Sequence, residues 1–456
     1  MTGIRPEDLG SLEFRRVHGV RYAYISGSMY KGIASRELVL CMARAGLLGY
    51  LGAGGMKWDR LTADLAWLRD HAPDGASYGV NLLCNLMHPE AEERTVDILL
   101  SHQIRRVEAA AFMQMTPSLV RYRLSGVASR PDGSIHVPNL LLAKVSRPEV
   151  AEQFLRPAPV RILKRLVETR QISEPQARLA ERIPVADDIC VEADSGGHTD
   201  QGVAYALMPA MLLLRDRIVA EQRYTTPVRI GAAGGLGTPH AIAAAFVLGA
   251  QFVLTGSVNQ CTVEAGISAA AKDLLQQADV QDTAIVPAGD MFEIGAKCQV
   301  LKRGLFFPAR ANKLYELYRQ HSSWEEIDEP TRRQIETKYF RKSAAEVYAE
   351  TRDYYLRDAP AEIEKAEKNP KHKLALLFRW YFVHTTRLAL KGIDEQRVDF
   401  QIHCGPALGA FNQWVKGTEI EDWRSRHADD IAERLMTGAA SILESRYAAW
   451  GKQIRI

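Results

Sequence analysis

The residues best suited to chemistry fall in three short stretches: Glu192-Ala-Asp-Ser-Gly-Gly-His198, Gly231-Ala-Ala-Gly-Gly-Leu-Gly237 and Leu254-Thr-Gly-Ser-Val-Asn-Gln260. Each directly follows a short apolar run (Ile189 to Val191, Val228 to Ile230, Phe252 to Leu254), and each precedes a stretch with helical patterning. Three successive strand–loop–helix units therefore bring a histidine and two glycine-rich turns to one end of a parallel sheet. In α/β barrels that end, the C-terminal edge of the strands, builds the site. Glycines there let backbone N–H groups cradle a phosphate, helped by the N-terminus of the following helix. Two such turns, with a histidine one unit earlier, read as a flavin mononucleotide (FMN) site with a polar group over the ring.

Ser195, Gly196 and Gly197 let the backbone run close to a flat ring, with His198 projecting over it. An imidazole titrates near neutrality and so suits proton transfer; a loop histidine bonded only for structure is the plainer alternative. Gly234, Gly235 and Gly237 form the turn before Thr238-Pro239, where a proline at the first helical position fits a helix start. The turn Thr255-Gly256-Ser257 follows one unit later, and loops after the last two strands are the usual phosphate site of barrels. Gln260 and Asn259 would add side-chain donors there, or cap the next helix.

Gly27, Ser28 and Met29 leave the first strand, which lies beside the last once a barrel closes, so their backbone is placed to cover the ring edge. Asn81 is a candidate to hydrogen-bond the ring or ribityl chain; it and the loop after the first strand equally suit structural turns. Lys144 is a lone charge in the apolar run Leu140-Leu-Leu-Ala-Lys-Val-Ser. An inward lysine needs a partner, because burying an unpaired charge is expensive. The N1/O2 side of a reduced flavin would be one partner, and solvent at the strand end is the alternative. Gly52-Ala-Gly-Gly-Met56 lacks both the spacing and the following acid of a dinucleotide fingerprint, which disfavours a Rossmann domain.

The elements that must position these residues alternate regularly. Apolar runs at Tyr22–Ser26, Leu48–Gly52, Tyr78–Leu83, Arg106–Ala111, Leu140–Ser146, Ile189–Ala193, Val228–Gly234 and Phe252–Ser257 read as strands, with helical patterning between most of them and over Thr262–Gln277. Eight such units predict an α/β fold, a (β/α)8 TIM barrel over residues 1–288. The fifth unit is the least regular, opening on a hairpin around Arg130-Pro-Asp-Gly-Ser134. Beyond about residue 290 glycine thins out and charged, aromatic helical stretches take over, predicting a helical subdomain over 289–456 with its own core.

Composition excludes several classes. Of 456 residues 46% are hydrophobic and 25% charged, an ordinary globular balance. A net charge of +3 is too mild to make nucleic acid the main partner. The six cysteines show no CxxC pair and no metal-ligand spacing, so idle reduced thiols and no metal are expected. The chain shows no signal pattern and no apolar run of membrane-spanning length, so a cytoplasmic protein is expected. The basic clusters Lys302, Arg303, Arg310, Lys313 and Lys365, Lys368, Lys371, Lys373 fall on or beside helices and read as solvated helix faces, or as docking ground for an acidic protein.

The Gly-Gly-His198 loop, the Gly-Val-Asn81 strand and the paired glycine turns resemble the flavin barrels that include nitronate monooxygenases and flavin-type enoyl-acyl carrier protein reductases. The chain more closely resembles the PfaD family, trans-acting enoyl reductases of polyketide and polyunsaturated fatty acid synthases. Met29-Tyr-Lys-Gly-Ile-Ala-Ser35, Val191-Glu-Ala-Asp-Ser-Gly-Gly-His-Thr-Asp200, Ala309-Arg-Ala-Asn-Lys-Leu-Tyr-Glu-Leu-Tyr318 and Cys404-Gly-Pro-Ala-Leu-Gly-Ala-Phe-Asn412 carry that likeness across nearly the whole chain. Asp200-Gln-Gly-Val203 departs from it, a more polar continuation being expected. The resemblance implies NADPH-dependent reduction of an enoyl thioester on an acyl carrier protein, with FMN as the relay and His198 as proton donor or enolate hydrogen-bond donor. A homodimer is the default expectation. A nitronate oxidase and a flavin-bearing, catalytically idle scaffold are the rival readings.

Overall fold

The computed structural model describes residues 3–85 and 88–454. Eight parallel strands close a barrel: β1 (Tyr24–Ser26), β2 (Leu48–Leu51), β3 (Gly79–Leu83), β4 (Arg106–Ala110), β5 (Leu140–Val145), β6 (Asp188–Glu192), β7 (Arg229–Ala233) and β8 (Val253–Thr255). Closure is the β1–β8 pairing, with Ser26 opposite Thr255, so the first and last loops start side by side. All eight lie within a residue or two of the apolar runs. Buried residues such as Ile25, Leu48, Tyr50, Leu142, Cys190, Ala233 and Leu254 fill the interior. The expected hairpin in the fifth unit is present as Ala128–Ser129 paired with Ile135–His136.

The N-terminal end of the barrel is plugged by helix Leu12–His18, whose Phe14 stacks on Phe252 at 4.6 Å between centroids. Below it, fully buried Asp188 takes Arg229 Nε at 2.6 Å and His18 Nε2 at 2.9 Å.

The chain divides into two compact units, and not by the single cut at 288/289 that the change of texture suggests. One unit is Met1–Ser195, Asp200–Gly266 and Gln413–Ile456; the other is Gly196–Thr199 and Ile267–Asn412. The C-terminal stretch belongs to the barrel unit because helix Ala428–Ile454 buries Ile431, Leu435 and Ala439 and packs Gly438 against Pro239, at the start of helix Pro239–Val247. Tyr22 also donates its hydroxyl to Glu433 at 2.8 Å.

A second difference is local. The expected helix over 262–277 is present only as Ala269–Leu275. Upstream, Val263 N–H donates to Arg426 O and Gly266 N–H to Ile33 O, so tertiary pairing takes the backbone bonds a helix would need.

The second unit holds an antiparallel sheet, β9 (Thr283–Pro287) and β10 (Lys297–Leu301), with the two-residue strand Gly197–His198 on the other edge of β10. Helices Phe307–Gln320, Ala344–Asp358 and Pro370–Lys391 surround an aromatic core that includes Phe292, Phe307, Phe340, Phe378, Tyr381 and Phe382, while helix Pro360–Lys368 packs Ile363 and Ala366 on Leu376. Among the described residues no helix is long and apolar enough to cross a membrane.

Candidate active site

In the barrel unit, the strands deliver most of the expected residues to one end. Gly27 N–H donates to Thr255 O at 2.9 Å, tying the first loop to β8. Ser28 follows, and both its N–H (3.1 Å) and its hydroxyl (2.6 Å) donate to Glu108, a fully buried carboxylate on β4. Lys144 Nζ, on β5, lies 3.4 Å from Glu192 on β6 and 3.9 Å from Glu108. Ser195 donates its hydroxyl to the same Glu192 at 3.1 Å. Burial works against the charge on Lys144, but Glu192 and then Glu108 outweigh it and hold the ammonium well above its usual range. Two carboxylates of the protein itself thus partner the lysine, a third arrangement beside the two the sequence suggests.

Asn81, nearly fully buried on β3, accepts from Gly54 N–H at 3.0 Å. That bond braces the glycine-rich loop after β2, which in turn carries the loop after β1: Lys31 N–H donates to Gly54 O and Gly32 N–H to Gly52 O. Met29 sits in this braced loop, its carbonyl accepting from Ala34 N–H at 3.1 Å. The departure at Asp200 has a local role, since its carboxylate takes Arg147 Nη2 at 2.8 Å.

The two glycine turns have the form a phosphate needs. Gly234 (φ +85°) and Gly235 (φ +72°) are left-handed, and a Cβ on Gly234 would lie 2.7 Å from the Ala193 carbonyl carbon. On Gly235 or Gly256 a Cβ would meet nothing within 4 Å, so both turns are open on that side. Gly237 N–H closes the first turn on Gly235 O at 3.1 Å. Thr255 is spent on holding the second: its hydroxyl lies 2.5 Å from Tyr24 OH and accepts from Asn259 Nδ2 at 2.9 Å. Ser257 starts the short helix Ser257–Gln260, and Gln260 is buried with Nε2 unpartnered among the described residues. Two open glycine turns, the first of them left-handed, and an orphaned amide donor fit the phosphate end of FMN.

Gly196, Gly197 and His198 belong to the other unit. There Gly197 pairs with Gln299 and His198 with Cys298 on β10. His198 Nε2 lies 2.9 Å from Asp290 Oδ1, and Gly197 lies beside His403. Partial burial alone would favour the neutral ring; the hydrogen bond to Asp290, then Cys298, overcome this and push the imidazole up to about 10. The Asp290 carboxyl is held below its ordinary value by the same bond, against its own desolvation.

With this geometry in place, two family models match the chain: one described as nitronate monooxygenase over residues 14–303, the other as the inserted helical domain of [acyl-carrier-protein] S-malonyltransferase over 321–400. The chain belongs to the nitronate monooxygenase family. Within this flavin-barrel family it is 54% identical over 445 residues to the polyketide biosynthesis protein PksE of Bacillus subtilis (strain 168), covering 98% of this chain and 58% of that one. It is 53% identical over 443 residues to the polyketide biosynthesis protein ThaF of Burkholderia thailandensis, covering 97% of this chain and 38% of that one. The chain spans about half the length of these curated relatives. A crystal structure of the enoyl reductase domain of MlnA, from the macrolactin biosynthesis cluster of Bacillus amyloliquefaciens, superposes with a TM-score of 0.94 at 42% identity, covering 97% of this chain and 99% of that one.

Sequence reasoning misses Glu108 and Glu192 in the barrel unit, and Asp290 and His403 in the other unit. Glu108 carries the same signal as Lys144, a charge inside the apolar run Arg106-Val-Glu-Ala-Ala110. Glu192 opens the histidine stretch, but its type and place alone assign it no role. Asp290 and His403 carry no local signal, since only folding brings residues so far apart in the chain to His198.

Proposed function

We propose that this protein is a trans-acting enoyl reductase that uses NADPH-reduced FMN to reduce the α,β double bond of an enoyl thioester on an acyl carrier protein. The observation that carries this reading is the match to the MlnA enoyl reductase domain over nearly the whole of both chains. The family and the open glycine turns support FMN, and the match of 321–400 to a helical domain of an acyl-carrier-protein enzyme supports a carrier-bound substrate. When bound, the flavin supplies hydride transfer from NADPH to the β-carbon.

The chain's own residues supply the rest. Gly234, Gly235, Gly237, Thr255, Gly256, Ser257 and Gln260 hold the phosphate end. Gly27, Ser28, Met29, Asn81, Lys144, Ser195, Gly196 and Gly197 shape the surroundings of the ring. His198, kept as imidazolium at neutral pH by Asp290, donates the α-carbon proton and a hydrogen bond to the developing thioester oxygen. Helical segment 321–400 offers the carrier-facing surface, and the chain acts in the cytoplasm as a homodimer.

An anaerobic single-turnover experiment tests this. NADPH should bleach the flavin, and a crotonyl-loaded carrier protein should restore its colour with formation of the butyryl carrier. Bleaching by a nitronate, with no recovery by any enoyl carrier, would instead favour the oxidase that the family model's description names. A chain that retains no FMN when supplied with it would refute both readings.

A further inference from the structure

Asp290 sits in a loop that is held with unusual care for a surface segment. Ala288 N–H donates to Ala296 O at 2.7 Å and Gly295 N–H to Phe292 O at 3.2 Å, closing the loop on itself. At its start, Gly289 lies so close to helix Pro370–Lys391 that a Cβ there would be 2.5 Å from Phe382 Cβ. At its centre, fully buried Phe292 packs its ring 5.2 Å from Tyr318 and 5.4 Å from both Tyr315 and Phe382. Next to it, Glu293 takes His372 Nδ1 at 2.7 Å and Arg379 Nη1 at 3.6 Å, both from that same helix. His372 is itself buried, and its other nitrogen lies 3.0 Å from Glu362 on helix Pro360–Lys368.

All of these anchors flank one exposed carboxylate, whose Oδ1 lies 2.9 Å from His198 Nε2 and accepts from Met291 N–H at 3.1 Å. A surface aspartate needs no such scaffold for stability, because an exposed ion pair contributes little. A group whose position matters to chemistry does need one. We propose that Asp290 is the positioning residue for His198, and that helix Pro370–Lys391 fixes it through Phe292 and Glu293. This rests on the reading of His198 as proton donor. Asp290 fixes which face of the imidazole is turned to the reaction and keeps it in the donating form; the other titratable groups at this place are Cys298, opposite His198 on β10, and His403 beside Gly197. The helical unit, on this account, has a second task besides meeting a partner: it aims the acid.

Two readouts on the full-length holoprotein test this. In carbon-13 histidine-labelled protein, with the His198 signal assigned by its loss in His198→Gln, the imidazole should titrate far above the ordinary 6.5 or so. Asp290→Asn, an exposed isosteric change, should bring that midpoint down to near its ordinary value, because the close opposite charge that raises it is gone. Glu293→Gln and His372→Gln should lower it by less, since the packing of Phe292 remains. In single-turnover reoxidation by an enoyl carrier, Asp290→Asn should match wild type near pH 6 and fall roughly tenfold by pH 7.5, as expected once His198 titrates near its ordinary value. A His198 midpoint that does not move in Asp290→Asn overturns the proposal outright. A midpoint that moves while the rate profile does not would show that the pair exists but does not serve the reaction, which overturns it equally. Failure of wild type to reduce any enoyl carrier would overturn the functional reading, while the titration still decides whether Asp290 governs His198.

Discussion

The two ends of the barrel use the same kinds of residue to opposite ends. At the N-terminal end, Asp188 is fully buried and enclosed by Arg229 and His18, beneath a helix that plugs the opening. At the C-terminal end, Lys144 is set between two carboxylates, Glu108 and Glu192, with both Lys144 and Glu192 about a fifth exposed (19% each) and glycine turns left open around them. In the first arrangement both oxygens of Asp188 are taken, by Arg229 and His18. The second carries one more carboxylate than it has ammonium, and its glycines leave room unfilled. The contrast is between charges enclosed by their partners and charges set among open glycine turns, as the proposed flavin site requires.

Breaking the enclosed end should have the largest effect. Asp188→Asn leaves Arg229 buried without its carboxylate, and loss of one partner of a buried pair costs about 3–5 kcal/mol; urea unfolding should show it as a fall in midpoint. The wild-type pH dependence follows from the same pair. Burial opposes ionisation of Asp188, but Arg229 and then His18 draw it down to about 2 from an ordinary 3.8. A depressed carboxyl contributes stability above its unfolded value that is lost as pH falls through its folded value. This part of the stability should therefore be complete above pH 4 and disappear towards pH 2, a dependence absent from Asp188→Asn.

The open end should respond more mildly in stability and more strongly in ligand binding. Lys144→Met leaves Glu108 and Glu192 facing each other, at an expected cost of about 1–3 kcal/mol. Urea unfolding should show that cost as a lowered midpoint. Gly235→Ala places a methyl where no protein atom stands, so its stability cost should be only the left-handed backbone, about 1 kcal/mol. Its FMN affinity, read by flavin fluorescence, should fall by more than that energy implies; an unchanged affinity would remove Gly235 from the phosphate cradle. Ser195→Ala, which loses one 3.1 Å hydrogen bond to Glu192 at a half-open site, should cost about 1 kcal/mol or less in thermal unfolding.

The barrel was legible because its eight strands are short apolar runs set apart by helical periodicity, and because glycine turns follow the last two. That is local information, and it placed Ser28, Asn81, Lys144, Gly234 and Gly256 at one end of one sheet. What escaped is non-local. Gly197–His198 looks like a loop, yet it is a strand, because β10 from a hundred residues downstream supplies its partner. Asp290 is an ordinary acid in Ala288-Gly-Asp-Met until Phe292 and Glu293 are seen to be clamped. The division of the chain escaped for the same reason: the composition of residues 428–454 says helix, but only the fit of Gly438 on Pro239 assigns that helix to the barrel unit.

The way the second unit is threaded sets the terms on which pieces of such proteins can be exchanged. It is an insertion between Gly266 and Gln413 plus a separate loan of Gly196–Thr199 from between two barrel elements. A graft that swapped 267–412 alone would give the new β10 a foreign strand to pair with, and would hand His198 to a loop evolved for another histidine. Recombination therefore succeeds only when two stretches far apart in the gene travel together, which makes the small segment 196–199 the tether on how freely the large one can be traded.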